Sequence, residues 1–209
     1  MNIGLYHLKM PFRKLLIGLL PFCKEVDPNV ISWCLLPVGL AMAVCYVLSF
    51  QVAGASSFLL LAIVLGFIRM IVATLDGRVA GTYNKSSIKG DLINRVTPEL
   101  CDFMLYLAGV FALRKFDLTG LLAIGCIWRT SFMGLLGSPS GLQVQSVGPV
   151  GQTDRLAALM LFSFLEYLSR SYSWGISFFD WFFYWLIIGG VITVSNRFYR
   201  SLQAAKSRS

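Results

Sequence analysis

RMIVATLDGRVAGTYNKSSIKGDLINRVTPELCDFMLY, residues Arg69 to Tyr106, decides how this chain folds. It begins at the end of a long apolar segment and crosses a polar stretch holding Asp76-Gly77 and Lys89-Gly90. It then enters a second apolar segment that still carries Asn94, Glu99 and Asp102. Carboxylates and amides are costly to place at the ends of membrane helices, so their presence there points to function.

Upstream, no charged side chain occurs from Pro28 to Ile68, a run about twice the ~20 residues that one bilayer crossing needs. Of the 209 residues 56% are hydrophobic and 13% charged, against about a quarter charged in a soluble domain, and the mean hydropathy is +0.71. The fold class is therefore all-α: a polytopic membrane protein, with residues 1–209 as a single membrane domain. A net charge of +8 fits positive-inside bias and anionic headgroups, with no nucleic-acid partner. Cys23, Cys34, Cys45, Cys101 and Cys126 form no metal-binding spacing and read as buried free thiols.

The pattern predicts an N-terminal interfacial amphipathic helix over 6–22, with Lys9, Arg13 and Lys14 among headgroups. Six transmembrane helices follow at about 30–50, 58–75, 91–113, 118–136, 154–169 and 177–196. Pro37 is expected to kink the first. Asp76–Lys89 reads as a polar loop, and residues 137–153 as a Gly/Pro/Ser-rich one without charge. Of the 18 lysines and arginines, Arg69 and Arg129 fall inside spans. Only Arg114, Lys115 and Arg170 lie on the side opposite the termini. That asymmetry predicts cytoplasmic termini, with the Asp76 and Gly148 loops on the same side. No internal repeat supports a transporter built from inverted halves.

At 100° per residue, Asp91, Asn94, position 98 and Asp102 fall in a sector ~80° wide. With Asp76 opposite Gly90 and Asn94, oxygen ligands converge on one wet face. That suits a hard cation, Mg²⁺ or Mn²⁺, and a phosphate-bearing substrate. Gly77, Gly81 and Gly90 let a diphosphate approach the backbone closely.

These residues resemble the CDP-alcohol phosphotransferases (CDP-alcohol phosphatidyltransferases), membrane enzymes of phospholipid biosynthesis. Their signature is D-x-x-D-G-x-x-A-R, eight or nine residues, then G-x-x-x-D-x-x-x-D. This chain has Ala73-x-x-Asp76-Gly77-x-x-Ala80-Gly81, eight residues, then Gly90-x-x-x-Asn94-x-x-x-Pro98. The spacing, one Asp, both glycines and the Ala match; Ala73, Asn94 and Pro98 replace the other acids, and Gly81 the Arg. Asp27-Pro28-Asn29-Val30-Ile31-Ser32 is similar to the segment opening the family's first span. Gly148-Pro149-Val150-Gly151-Gln152-Thr153-Asp154-Arg155 is similar to a G-P-x-G-K-x-D-R segment of small bacterial members, with Gln152 for Lys.

The resemblance implies transfer of a phosphatidyl group from a CDP-linked lipid donor to an alcohol acceptor, with release of CMP. In the family two divalent ions grip the diphosphate and the fourth Asp is the base. Carried over by position, Asp76, with Asn94 and nearby Asp91, would hold a metal. Gly77, Ala80 and Gly90 would shape the nucleotide site. Arg155, with Gln152, Gly151 and Arg197, would hold an anionic acceptor. The base position is Pro98, so no catalytic base is assigned. A bacterial plasma (inner) membrane location, a cytoplasmic site and a homodimer are further implications. An alternative is a catalytically inactive member that binds nucleotide-lipid, phospholipid or a partner protein in a regulatory or scaffolding role. A channel or carrier ranks last, because no polar stripe runs through several spans.

Asp102 lies ~12 Å beyond Asn94 along the helix, too far to share a metal pair ~3.5–4 Å across. Arg69 precedes Asp76 by ~10 Å of helix and so matches the depth of Asp102, as does Arg129. An intramembrane cluster of Asp102 with Arg69, Arg129 or both follows. Pro98 removes the N–H partner of the Asn94 carbonyl and predicts a kink there. The Gly148–Arg155 loop before a helix N-terminus is a candidate anion pocket. Arg197, Arg200, Lys206 and Arg208 read as a lipid-binding tail. Glu166 and Asp180 read as solvated or paired acids, and His7 carries no chemistry.

Overall fold

The computed structural model describes residue 12, residues 14–136, residue 145 and residues 148–206. His7, Lys9, Arg13, Arg208 and most of the 137–147 loop lie outside the described residues. The helices are α1 (Pro28–Trp33), α2 (Leu35–Gln51), α3 (Ser57–Thr82), α4 (Ile88–Ala112), α5 (Leu118–Leu136), α6 (Gln152–Ser171) and α7 (Phe178–Lys206). Among the described residues, four stretches are long and apolar enough to cross a membrane: Pro28–Gln51, α3, α5 and α7. The helices α4 and α6 have sufficient length, but their sequences are more polar. The described residues up to Arg114 form one compact unit and those from Lys115 a second.

In the first unit, α2 packs on both α3 and α4, which touch each other little, and α1 bridges the same two helices. The kink expected at Pro37 appears as a break at Cys34. Proline has no N–H, and its ring crowds the carbonyl four residues back, here Trp33, so the helix divides just beyond it. The expected interfacial α-helix is, over Leu16–Cys23, a 3-10 helix containing Pro21. Its Leu16 and Leu20 are buried with Ile31, Leu75 and Val79, while Leu15, Ile17 and Phe22 are exposed.

The largest departure from expectation concerns Asp76. The helix α3 does not end at Leu75 but continues to Thr82, so Asp76, Gly77 and Ala80 are helical and the connection is only residues 83–87. A drop in hydropathy marks where a helix leaves lipid, not where its hydrogen bonds stop. The stop is a Schellman cap: Asn84 takes φ +54° and the Lys85 N–H bonds the Ala80 carbonyl at 2.9 Å. Ser87 then caps α4, its hydroxyl accepting from the Gly90 N–H at 3.0 Å. Asn84→Ala is expected to destabilise this connection by about 1 kcal/mol, because alanine resists positive φ, whereas Asn84→Gly is neutral or better. Thermal unfolding in detergent checks the pair.

In the second unit α7 packs on α5 and α6. Close approach is built on glycine: a Cβ on Gly190 would lie 2.7 Å from Cys126 Cβ, and one on Gly189 2.5 Å from Val150 Cγ2. Gly148 (φ +132°) brings the preceding loop onto Thr193, whose hydroxyl accepts from the Val150 N–H at 3.1 Å. Glu166, 4% exposed, accepts from the Phe178 N–H at 2.8 Å and from Arg170 at 2.9 Å. It thereby caps α7 from a neighbouring helix.

Lys115 meets Asp180 at 2.8 Å. Hydrogen bonding to Asp180 pushes the Lys115 ammonium above its ordinary range, against partial desolvation. A raised cation pKa stabilises fully below the ordinary lysine value and is lost as pH rises through the folded one. The pair is partly exposed, so Lys115→Met is expected to cost ~0.2–1 kcal/mol at neutral pH. That cost should disappear as pH rises through the folded-state value, as read by alkaline unfolding curves of both proteins.

Candidate functional site

A pocket of about 380 Å³ opens in the first unit, where α3 and α4 are held apart by α1. Its wall is made by Pro28, Asn29 and Ser32 of α1, Asp76, Gly77 and Ala80 of α3, and Gly90, Asp91 and Asn94 of α4, with Lys85–Ser87 from the connection. The side chains proposed from sequence as metal and nucleotide ligands are thus on one surface. Gly77 faces Asn94 across it: a Cβ there would lie 3.7 Å from Asn94 Nδ2. On Gly90 a Cβ would press against Ser87 Oγ at 3.1 Å and Asn29 Oδ1 at 3.2 Å, so glycine keeps this wall open. Gly81 is exposed and outside the lining.

Asp76 is 2% exposed. Its Oδ2 accepts from the Ser32 hydroxyl at 2.7 Å and its Oδ1 from the Gly77 N–H at 2.5 Å. Ser32 is a partner that sequence reasoning missed. The available signal was its place four residues after Pro28 in a span without charge. Asp91 stands at the rim, 62% exposed and paired with Arg95 at 3.0 Å. Lys85 donates to the carbonyls of Lys24 and Val26 at 2.6 and 3.2 Å, holding the segment before α1 against the rim.

The two divalent ions used by the CDP-alcohol phosphotransferases, which the motifs resemble, do not fit these residues. Two of four acids are apolar (Ala73, Pro98) and one is an amide (Asn94). Among the described residues no group of three or more His, Cys, Asp or Glu side chains is placed to hold a metal. Asp76 and Asn94, with Asp91 at the rim, are what a single cation would have.

Below the pocket, Arg69 Nη2 lies 2.5 Å from Asp102 Oδ1 and donates to the Pro98 carbonyl at 3.1 Å. The two side chains are 3% and 1% exposed. The depth count placed this pair correctly. Arg129 belongs to the other unit and is exposed on α5 there. The helix α4 runs without interruption through Pro98.

The residues assigned to an acceptor's anion are mostly enclosed. Arg155 is 1% exposed and donates to Thr130 Oγ1 at 3.0 Å and Ser131 Oγ at 3.4 Å. Arg197, read as part of a surface tail, is buried and donates to the Thr130 carbonyl. Gly151 is buried and Gln152 exposed. Here two arginines hold α6 and α7 to α5, because buried guanidinium groups must find acceptors.

Helical fold and composition together define the class: this is a polytopic integral membrane protein. It is related to the inner membrane protein YnbA of Escherichia coli (strain K12), with 36% identity over 98 residues. That alignment covers 47% of this chain and 48% of YnbA, so the chain matches about half the length of its curated relative. No family model matches the chain.

Proposed function

We propose that this chain is a CDP-alcohol phosphotransferase-like protein of phospholipid biosynthesis in the bacterial inner membrane. Its Asp76 pocket receives the head of a CDP-linked lipid, and the phosphatidyl group passes to an alcohol with release of CMP. The observation that carries this reading is the shared wall of the pocket. The Pro28-Asn29-x-x-Ser32 segment, the Asp76-Gly77-x-x-Ala80 segment and Gly90 with Asn94 are far apart in sequence yet line one cavity. Those segments carry the resemblance to the family. In this reading α4 and α6 also cross the bilayer, giving six spans. Their charges are then tolerable because Asp102 is paired with Arg69, and Glu166 with Arg170 and the α7 N–H groups. Charge asymmetry supports a pocket facing the cytosol.

In this reading Asp76, the buried carboxylate of the lining, takes the alcohol's proton. A second reading is favoured by Ala73 and Pro98, which remove the family's first acid and its base: a member that binds the CDP-lipid without turning it over. CMP release by purified protein, with CDP-diacylglycerol and a panel of alcohols, tests the choice. Release that depends on an added alcohol supports transfer. Saturable binding without release supports the second reading, and neither result leaves both wrong.

A further inference from the structure

We propose that the Asp76 pocket holds the head of its ligand without divalent cations, which rests on the reading that a CDP-linked lipid binds there. Two observations point the same way, and a third says what a cation-free ligand would supply. First, the charges of the wall already balance. Asp91 is compensated by Arg95 at 3.0 Å, and Asp76 shares the lining with Lys85. Two divalent ions would bring four positive charges to a surface whose buried carboxylate is Asp76. Second, both Asp76 oxygens already accept, from Ser32 Oγ and the Gly77 N–H. The carboxylate is built into a hydrogen-bond frame tying α1 to α3. Third, the wall keeps an acceptor that asks for a donor. Asn29 gives its backbone N–H and its Nδ2 to Asp27 Oδ1 at 2.8 and 2.9 Å. That fixes the amide so that the buried Oδ1 stands beside Gly90 without a hydrogen-bond partner. A ligand hydroxyl or amino group supplies what such an acceptor lacks. Phosphate charge is then met by Lys85 and the connection's polar groups.

The test is equilibrium binding of CDP-diacylglycerol to the full chain in nanodiscs, with excess EDTA and with added Mg²⁺ or Mn²⁺. Affinity in the two conditions is expected to agree within about threefold. Asp76→Asn, which keeps the shape and removes a negative charge near the phosphates, is expected to hold or tighten binding in EDTA. Lys85→Gln is expected to weaken it by roughly tenfold, with Lys85→Arg recovering most of the loss. Binding lost in EDTA and restored by metal overturns the proposal while leaving the CDP-lipid reading standing. So does an Asp76→Asn loss seen only when metal is present. No binding in either condition overturns the CDP-lipid reading and the proposal with it. Should a variant fail to fold, the EDTA comparison on the unmodified chain decides alone.

Discussion

Asp102→Ala is expected to destabilise the chain by about 3–5 kcal/mol, the usual cost of stranding one member of a buried ion pair. Asp102 and Arg69 are 1% and 3% exposed at 2.5 Å, and Arg69 Nη1 has no hydrogen-bond partner among the described residues. Removing the carboxylate therefore leaves a guanidinium without its counter-charge between α3 and α4. Arg69→Met should cost a similar amount for the opposite reason. The double variant Arg69→Met/Asp102→Leu should recover most of the loss, since two apolar side chains leave no uncompensated charge. Thermal unfolding of the four proteins in one detergent reads this directly. Single variants within 1 kcal/mol of the parent would contradict the pairing.

If the chain carries out the proposed transfer, Asp76→Asn is expected to lower CMP release by about 10²–10⁴-fold, the usual contribution of a positioned general base, while CDP-lipid binding persists. Asparagine still accepts from the Gly77 N–H and offers its amide to Ser32 Oγ, so the frame around position 76 survives. The base function proposed for Asp76 does not. Steady-state CMP release and equilibrium binding, measured on the same preparation, separate the two effects. If binding and turnover fell together, Asp76 would be a ligand-holding group and not the base. Unchanged turnover would remove it from the chemistry altogether.

What the sequence revealed and what it hid divide along physical lines. Membrane spanning was legible because charge-free runs such as Pro28–Ile68 have no soluble explanation. The Arg69–Asp102 pair was legible because helical rise converts a residue count into depth, and charge in lipid seeks a partner. The convergence of Asp76 with Asn94 was legible from spacing.

Other features depended on tertiary partners. The end of α3 was placed seven residues early, since the reading followed hydropathy while the helix followed its hydrogen bonds to the Asn84 cap. Ser32 stood out only as a hydroxyl four residues after Pro28 in a charge-free span, which did not name Asp76, 44 residues away, as its partner. Arg155 and Arg197 read as groups for a ligand's anion, and Arg197 also as part of a lipid-binding tail, because their acceptors, Thr130 and Ser131, belong to α5 and are silent in sequence. Glu166 read as solvated or paired, and it does pair with Arg170, but its hold on the α7 N–H groups was silent in sequence. Long-range acceptors for buried charges are what one-dimensional patterns carry least well.

Photo-crosslinking of the full chain in nanodiscs with a CDP-diacylglycerol analogue, reactive at its nucleotide end, tests the pocket assignment most directly. Adducts mapped by mass spectrometry should fall within residues 28–32 and 76–94 and disappear with excess CMP. Adducts confined to other segments, or indifferent to CMP, would contradict the account.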